Sequence, residues 1–116
     1  MTSFLTRSAA LIAVAFLSTA AHAATTITAA NGMTLYTFDN DTGGVSACYD
    51  SCAGNWPPYL GTAAETMGEG WTLVARTDGT MQWAYDGKPT YFYVGDAAAG
   101  DITGDGVGGV WHMIAE

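Results

Sequence analysis

Asn31-Gly32-Met33-Thr34-Leu35-Tyr36-Thr37-Phe38-Asp39-Asn40-Asp41 is a stretch that this chain writes twice. An offset of 55 carries Asn31, Gly32, Tyr36, Phe38 and Asp41 onto Asp86, Gly87, Tyr91, Tyr93 and Asp96, and then Asp50, Gly54 and Trp56 onto Asp105, Gly109 and Trp111. An ungapped offset running from turn to tryptophan marks a duplicated supersecondary unit, each copy of which exposes a face that it cannot bury alone. The sequence therefore predicts two pseudo-symmetric repeats, at about 31–58 and 86–113, that pack on each other through their aromatic faces.

Asn-Gly and Asp-Gly are the dipeptides that best accept the positive φ angles of tight hairpin turns, and they stand at Asn31-Gly32, Asp78-Gly79 and Asp86-Gly87. Short β-prone runs flank them at 24–30, 33–38, 71–75, 81–85, 90–94 and 110–114. Along 33–38 the period of two puts Tyr36 and Phe38 on one face with Thr34, and Leu35 on the other. Along 110–114 it puts Trp111 and Met113 inward and His112 outward. The expectation is an all-β domain of about six short strands with irregular Gly/Asp-rich loops and one short helical turn near 48–56. Trp56-Pro57-Pro58 should end that turn, because successive prolines lack amide donors and do not suit a central strand. The small-residue stretch 60–70 reads as the connection between the halves.

Residues 1–23 have the pattern of a secretory signal peptide: Arg7, an apolar run over 9–17, and Ala21-His22-Ala23 as the small-x-small cleavage site. That apolar run is too short to span a bilayer, and the chain after it is expected to be a single domain, 24–116, exported to the periplasm or beyond. In such an oxidising compartment Cys48 and Cys52 are expected to form one disulfide, closing a short loop for a contribution of about 2 kcal/mol. The spacing is not that of a redox-active Cys-x-x-Cys pair, and Asp50 between the sulfurs disfavours a thiolate.

The formal net charge is −8, and beyond residue 23 the bases are Arg76 and Lys88 alone, against eleven Asp and Glu. Such a surface repels nucleic acid and anionic lipid and attracts cations. Asp39, Asp41 and Asp50 fall in the first, third and last places of a calcium-loop frame with Gly44 sixth, and Asp101, Asp105 and Gly106 repeat the frame with His112 in its last place. The last ligand is not the bidentate Glu, so calcium would need another geometry, and the alternative is that these residues supply only turn chemistry. His112 could also serve copper or zinc, but Met113 beside it points to the opposite face. The twelve aromatic side chains beyond residue 23 exceed what one strand face can hold, and the surplus could line a surface for sugar, peptide or protein. No nucleophile–base pair or phosphate-cradling loop emerges, so the reading is a non-enzymatic binding or structural domain, without a cofactor unless calcium binds, whose partner is a small ligand or an envelope protein.

Tyr36-Thr37-Phe38-Asp39-Asn40-Asp41 and Tyr91-Phe92-Tyr93-Val94-Gly95-Asp96 fit a Tyr-x-(Phe/Trp/Tyr)-x-x-Asp motif. With Cys48-Tyr49-Asp50-Ser51-Cys52, Trp56-Pro57-Pro58 and the run from Gly104 to His112, the chain resembles the secreted lipoprotein-repeat proteins. The resemblance covers nearly all of 24–116 and implies an exported bacterial envelope protein with no assigned biochemical activity. Many such proteins look lipid-anchored, whereas no lipobox cysteine stands at this cleavage site.

Overall fold

The computed structural model describes residues 26–115, so the predicted signal peptide lies outside the described residues. Among the described residues five strands are present: β1 (Tyr36–Phe38), β2 (Trp71–Ala75), β3 (Met81–Tyr85), β4 (Lys88–Pro89) and β5 (Trp111–Met113). β1 pairs antiparallel with β5, and β2, β3 and β4 form a second antiparallel sheet in that order. One helix, α1 (Ser51–Asn55), and a 3-10 turn at Val107–Gly109 are the helical elements among the described residues. No helix among the described residues is long and apolar enough to cross a membrane.

Several expected strands are shorter than their β-prone runs. Among the described residues of the first run, Thr26 and Thr28 form isolated bridges, to Ala115 and Thr34. The run 90–94 contributes Tyr91 alone, bridged to both Tyr36 and Pro58, while the ladder itself is the two-residue β4 before it. Leu35, on the face opposite Tyr36, is as fully buried as Tyr36 itself, so this strand is covered on both sides.

The predicted pairing of the repeats is realised as an approximate two-fold. Tyr36 and Tyr91, 55 apart, exchange backbone hydrogen bonds at 2.8 and 2.9 Å. Around that axis the bonds come in matched couples. Asp39 N–H donates to the Val110 carbonyl as Val94 donates to Asn55, and Ile114 donates to Leu35 as Tyr59 donates to Thr90. Tyr36 bridges Met113 in β1–β5, and Tyr91 bridges Pro58. Each half thus lends its last extended segment to the hairpin of the other.

The core lies on this axis. Phe38, Trp111, Trp56 and Tyr93 form one stack, with successive centroids 4.1, 3.8 and 4.1 Å apart, and Trp56 and Trp111 lie within 3° of parallel at its centre. Tyr36 meets Trp56 edge-on at 5.4 Å, and Tyr91 meets Trp111 likewise at 5.2 Å. Aromatic pairs in these geometries contribute about 0.5–1.5 kcal/mol each beyond the area that they bury. Gly104 is required here: a β-carbon on it would stand 2.8 Å from Trp56.

The cysteines pair, with Cα atoms 5.2 Å apart, but the helical turn expected near 48–56 does not hold both. Cys48 precedes the helix, Asp50 reverses the chain at φ 54°, and only Cys52 belongs to α1. The bridge closes that reversal onto the buried Cys48, beside the ring stack.

Candidate functional site

A cavity of about 670 Å³ opens between the loop that follows β1 and the Asp86-Gly87 turn that joins β3 to β4. Thr37 and Phe38 of β1, Asp39, Asp41, Gly43 and Gly44 of the loop, Val74 of β2, and Lys88 and Pro89 of β4 complete its walls. A smaller hollow of about 330 Å³ shares Thr37, Asp39, Asp86 and Lys88 with it and continues to Tyr85, His112 and Met113. Asp39 and His112 pair between strands, Oδ2 to Nε2, at 2.9 Å, with both side chains about half exposed.

A β-carbon on Gly44 would stand 3.4 Å from the Gly87 carbonyl oxygen, so the first loop also approaches its turn, but the residues here depart from the two-fold. In the opposite quarter the loop 94–101 meets the Asn31-Gly32 turn, and Ala99 reaches to 3.1 Å from where a β-carbon on Gly32 would be. Thr34 Oγ1 ties that loop down by donating to the Asp101 carbonyl at 2.8 Å. An offset of 55 puts Gly43 and Gly44 in the places of Ala98 and Ala99, Pro89 in the place of Thr34, and Ser46 in the place of Asp101. Two methyl groups are therefore missing from the first loop. Pro89 has no hydroxyl with which to fasten it. Gly43 and Gly44 also have φ of 61° and 78°, values that alanine adopts only with strain.

Beneath the cleft a buried polar chain joins the halves. Tyr91 Oη donates to Asp41 Oδ2 at 2.7 Å and receives the Ser46 hydroxyl, while the Ala47 N–H donates to Asp41 Oδ1 at 2.7 Å. Burial raises the Asp41 pKa, against the lowering effect of those donors and of Arg76. The reciprocal pair has Tyr36 Oη donating to Asp96 Oδ2 at 2.8 Å and accepting the Gly104 N–H at 3.1 Å. Burial likewise keeps both tyrosines protonated well above the usual phenol range. The two motif aspartates are thus the acceptors of the opposite repeat's tyrosine.

Arg76 was invisible as a site residue in the sequence. It is 5 % exposed and donates to Ser46 Oγ at 3.0 Å, Gln82 Oε1 at 2.8 Å and the Cys48 carbonyl at 2.9 Å, with its guanidinium 4.3 Å above the Tyr49 ring. Nε has no hydrogen-bond partner, and Asp78 at 3.8 Å neutralises it only through space. The available signal was scarcity, since a chain with so few bases has little reason to keep one unless it is used.

The residues of the predicted metal frames do not come together. Among the described residues no three of Asp, Glu, His and Cys converge on a point that could hold an ion. Asp101 Oδ2 accepts the Ala97 and Ala98 N–H groups, Asp105 Oδ1 accepts the Met113 N–H, and Asp50 is exposed at the start of α1. Only Asp39 and His112 meet, because β1 and β5 are neighbours. A second aromatic group, Tyr59, Trp71, Tyr85 and Phe92, lies half-buried around Trp83, away from the core stack, with centroids 5.0–6.4 Å apart.

Chemically, the cleft offers carboxylates at Asp39 and Asp86, an ammonium at Lys88 and an imidazole at His112, over an apolar wall of Phe38, Val74 and Pro89. Such a combination can orient a polar molecule between loop-borne carboxylates and strand-borne Lys88 and His112. No curated protein and no solved structure matches the chain. Residues 22–59 and 69–115 each match one family; the two matches contain the repeats read at about 31–58 and 86–113 and begin well before them. The chain belongs to that family, described as a secreted repeat of unknown function.

Proposed function

We propose that this is an exported, non-enzymatic binding domain of the bacterial envelope, released after Ala23, whose cleft between the 39–44 loop and the 86–88 turn takes a small polar ligand. The observation that carries the reading is the broken symmetry. A duplicated fold whose two loop–turn quarters differ, Gly43-Gly44 against Ala98-Ala99 and Pro89 against Thr34, carries at the glycine quarter a cavity of about 670 Å³, within the usual range for small-molecule sites. Asp39, Asp86, Lys88 and His112 fix polar groups of the ligand, and Phe38, Val74 and Pro89 take its apolar part. A second reading, an accessory protein for calcium or copper, draws on the Asp39–His112 pair at the edge of the same cleft.

Backbone chemical-shift mapping against a library of small amines, amino acids and sugars, with calcium and copper included, tests both readings. Saturable shifts at Thr37, Gly44, Gly87 and Lys88 that disappear in Thr37→Trp, which fills the cleft from β1, are the expected result. Shifts confined to the Tyr59–Trp71–Phe92 surface, or none with any compound, would sink the cleft as the site. Binding of a metal ion alone at His112 would favour the second reading.

A further inference from the structure

The bonds that hold the domain together run between its halves, and the covalent link between those halves takes almost no part in them. Residues 26–60 and 70–115 meet through the Tyr36–Tyr91 bridge, the β1–β5 ladder and the Trp56–Trp111 stack. Trp83 donates to Tyr59 at 2.8 Å and Ile27 to Ile114 at 2.9 Å, each bond taking one partner from each half. The link is fastened at its ends, Gly61 N–H to the Met81 carbonyl and the Gly70 carbonyl to Asp86 N–H. Between them the bonds found are local, with Glu65 and Thr62 each donating a backbone N–H to the other, and residues 62–66 are exposed.

We infer that each half is a docking surface for the complementary half of a second copy of this chain, so that two chains can pair by reciprocal exchange across the 61–69 link. Every inter-half bond named above is satisfied equally whether the other half arrives on the same chain or on another, which is the condition for exchange. The single-chain form prevails at low concentration because a short link supplies the second half at an effective concentration on the order of millimolar. The pairing is directional. Arg76, from the second half, reaches Ser46 and Cys48 of the first, and the offset of 55 provides no such arginine to the first half among the described residues, so first joins second rather than its own kind. This inference is independent of what the cleft binds.

Two full-length variants test it. One has its first half disabled by Tyr36→Ala and Trp56→Ala, and the other has its second half disabled by Tyr91→Ala and Trp111→Ala; each removes one of the two stacked indoles. The two are unfolded together, refolded as a mixture, and followed by near-ultraviolet circular dichroism and light scattering. Exchange unites the intact second half of one with the intact first half of the other, so the mixture should gain a dimeric species with about half the wild-type aromatic band per chain pair, since one of its two domains is whole. A mixed spectrum equal to the mean of the two separate ones, with no dimer, overturns the inference whether or not either variant folds alone.

Discussion

Removing one hydroxyl from each motif tyrosine should have unequal consequences, and the structure says which is worse. Tyr36→Phe keeps the ring against Trp56 and Tyr93 and deletes only Oη. That atom donates to Asp96 Oδ2, in a residue 7 % exposed, and accepts the N–H of buried Gly104. A hydrogen bond to a charged acceptor contributes about 1.5–3 kcal/mol, and a buried N–H left unpaired costs about 1–3 kcal/mol. The two overlap, because the vacated space lets each group relax, so the expected loss is about 3 kcal/mol. In Tyr91→Phe the lost partners are Asp41, which is half-buried and within reach of water, and Ser46, which keeps its bonds from Arg76 and the Cys48 N–H. Only one charged acceptor is compromised there, and the expected loss is about 1–2 kcal/mol. Urea denaturation at neutral pH measures both. At a slope of about 1 kcal/mol/M for a domain of this size, the midpoint of Tyr36→Phe should fall by roughly 3 M and that of Tyr91→Phe by roughly 1–2 M, with slopes unchanged. Equal losses, or the reverse order, would show that the buried Tyr–Asp bonds do not differ as their surroundings indicate.

Arg76→Met should cost about 2–4 kcal/mol, because the Ser46, Gln82 and Cys48 acceptors stay buried while their shared donor is gone. A loss below about 0.5 kcal/mol would mean that relief of guanidinium desolvation offsets those bonds, which thermal melts would reveal directly. At alkaline pH the unfolded chain ionises its tyrosines near 10.0, while burial holds Tyr36 and Tyr91 protonated in the fold. Folded protein therefore binds more protons than unfolded, and stability should fall above pH 10 by up to about 2.7 kcal/mol per pH unit for the two groups together. Stability constant between pH 9 and 11 would contradict the assigned burial.

How much of this was legible follows from where each copy needed the same residue. The rings of the stack and the turn glycines recur because both halves face one axis, and a strict offset displays them. Upstream of the turns the offset slips: Thr28 bridges Thr34 across six positions, whereas Ala84 pairs with Pro89 across five, so the strand at 26–28 was not recognisable as the counterpart of β3. Pro57-Pro58 read as a barrier to pairing. The exchange of last segments escaped notice for that reason. Yet Pro57 contributes only its carbonyl, to Phe92 N–H at 2.7 Å, and Tyr59 resumes donation to Thr90, so no proline N–H is needed. Arg76 could not be placed from sequence, since its acceptors at 46 and 48 are distant in the chain and belong to the other half.

The cleft was legible in principle, though not in the features first sought. Matching carboxylates to ligand frames looks for what the copies share, and shared residues here serve the fold: Asp41 and Asp96 hold tyrosines, and Asp105, the counterpart of Asp50, holds backbone. A duplicated domain is free to specialise only where the copies differ without weakening the common core. Set side by side at an offset of 55, Gly43-Gly44 against Ala98-Ala99 and Pro89 against Thr34 are such differences, small in chemistry and adjacent in space. Lys88, which stands where the first copy has Met33, then puts the one basic side chain of the cleft into the opening that those changes leave. In this fold the departures from symmetry, rather than the repeated motif, indicate where a ligand would bind.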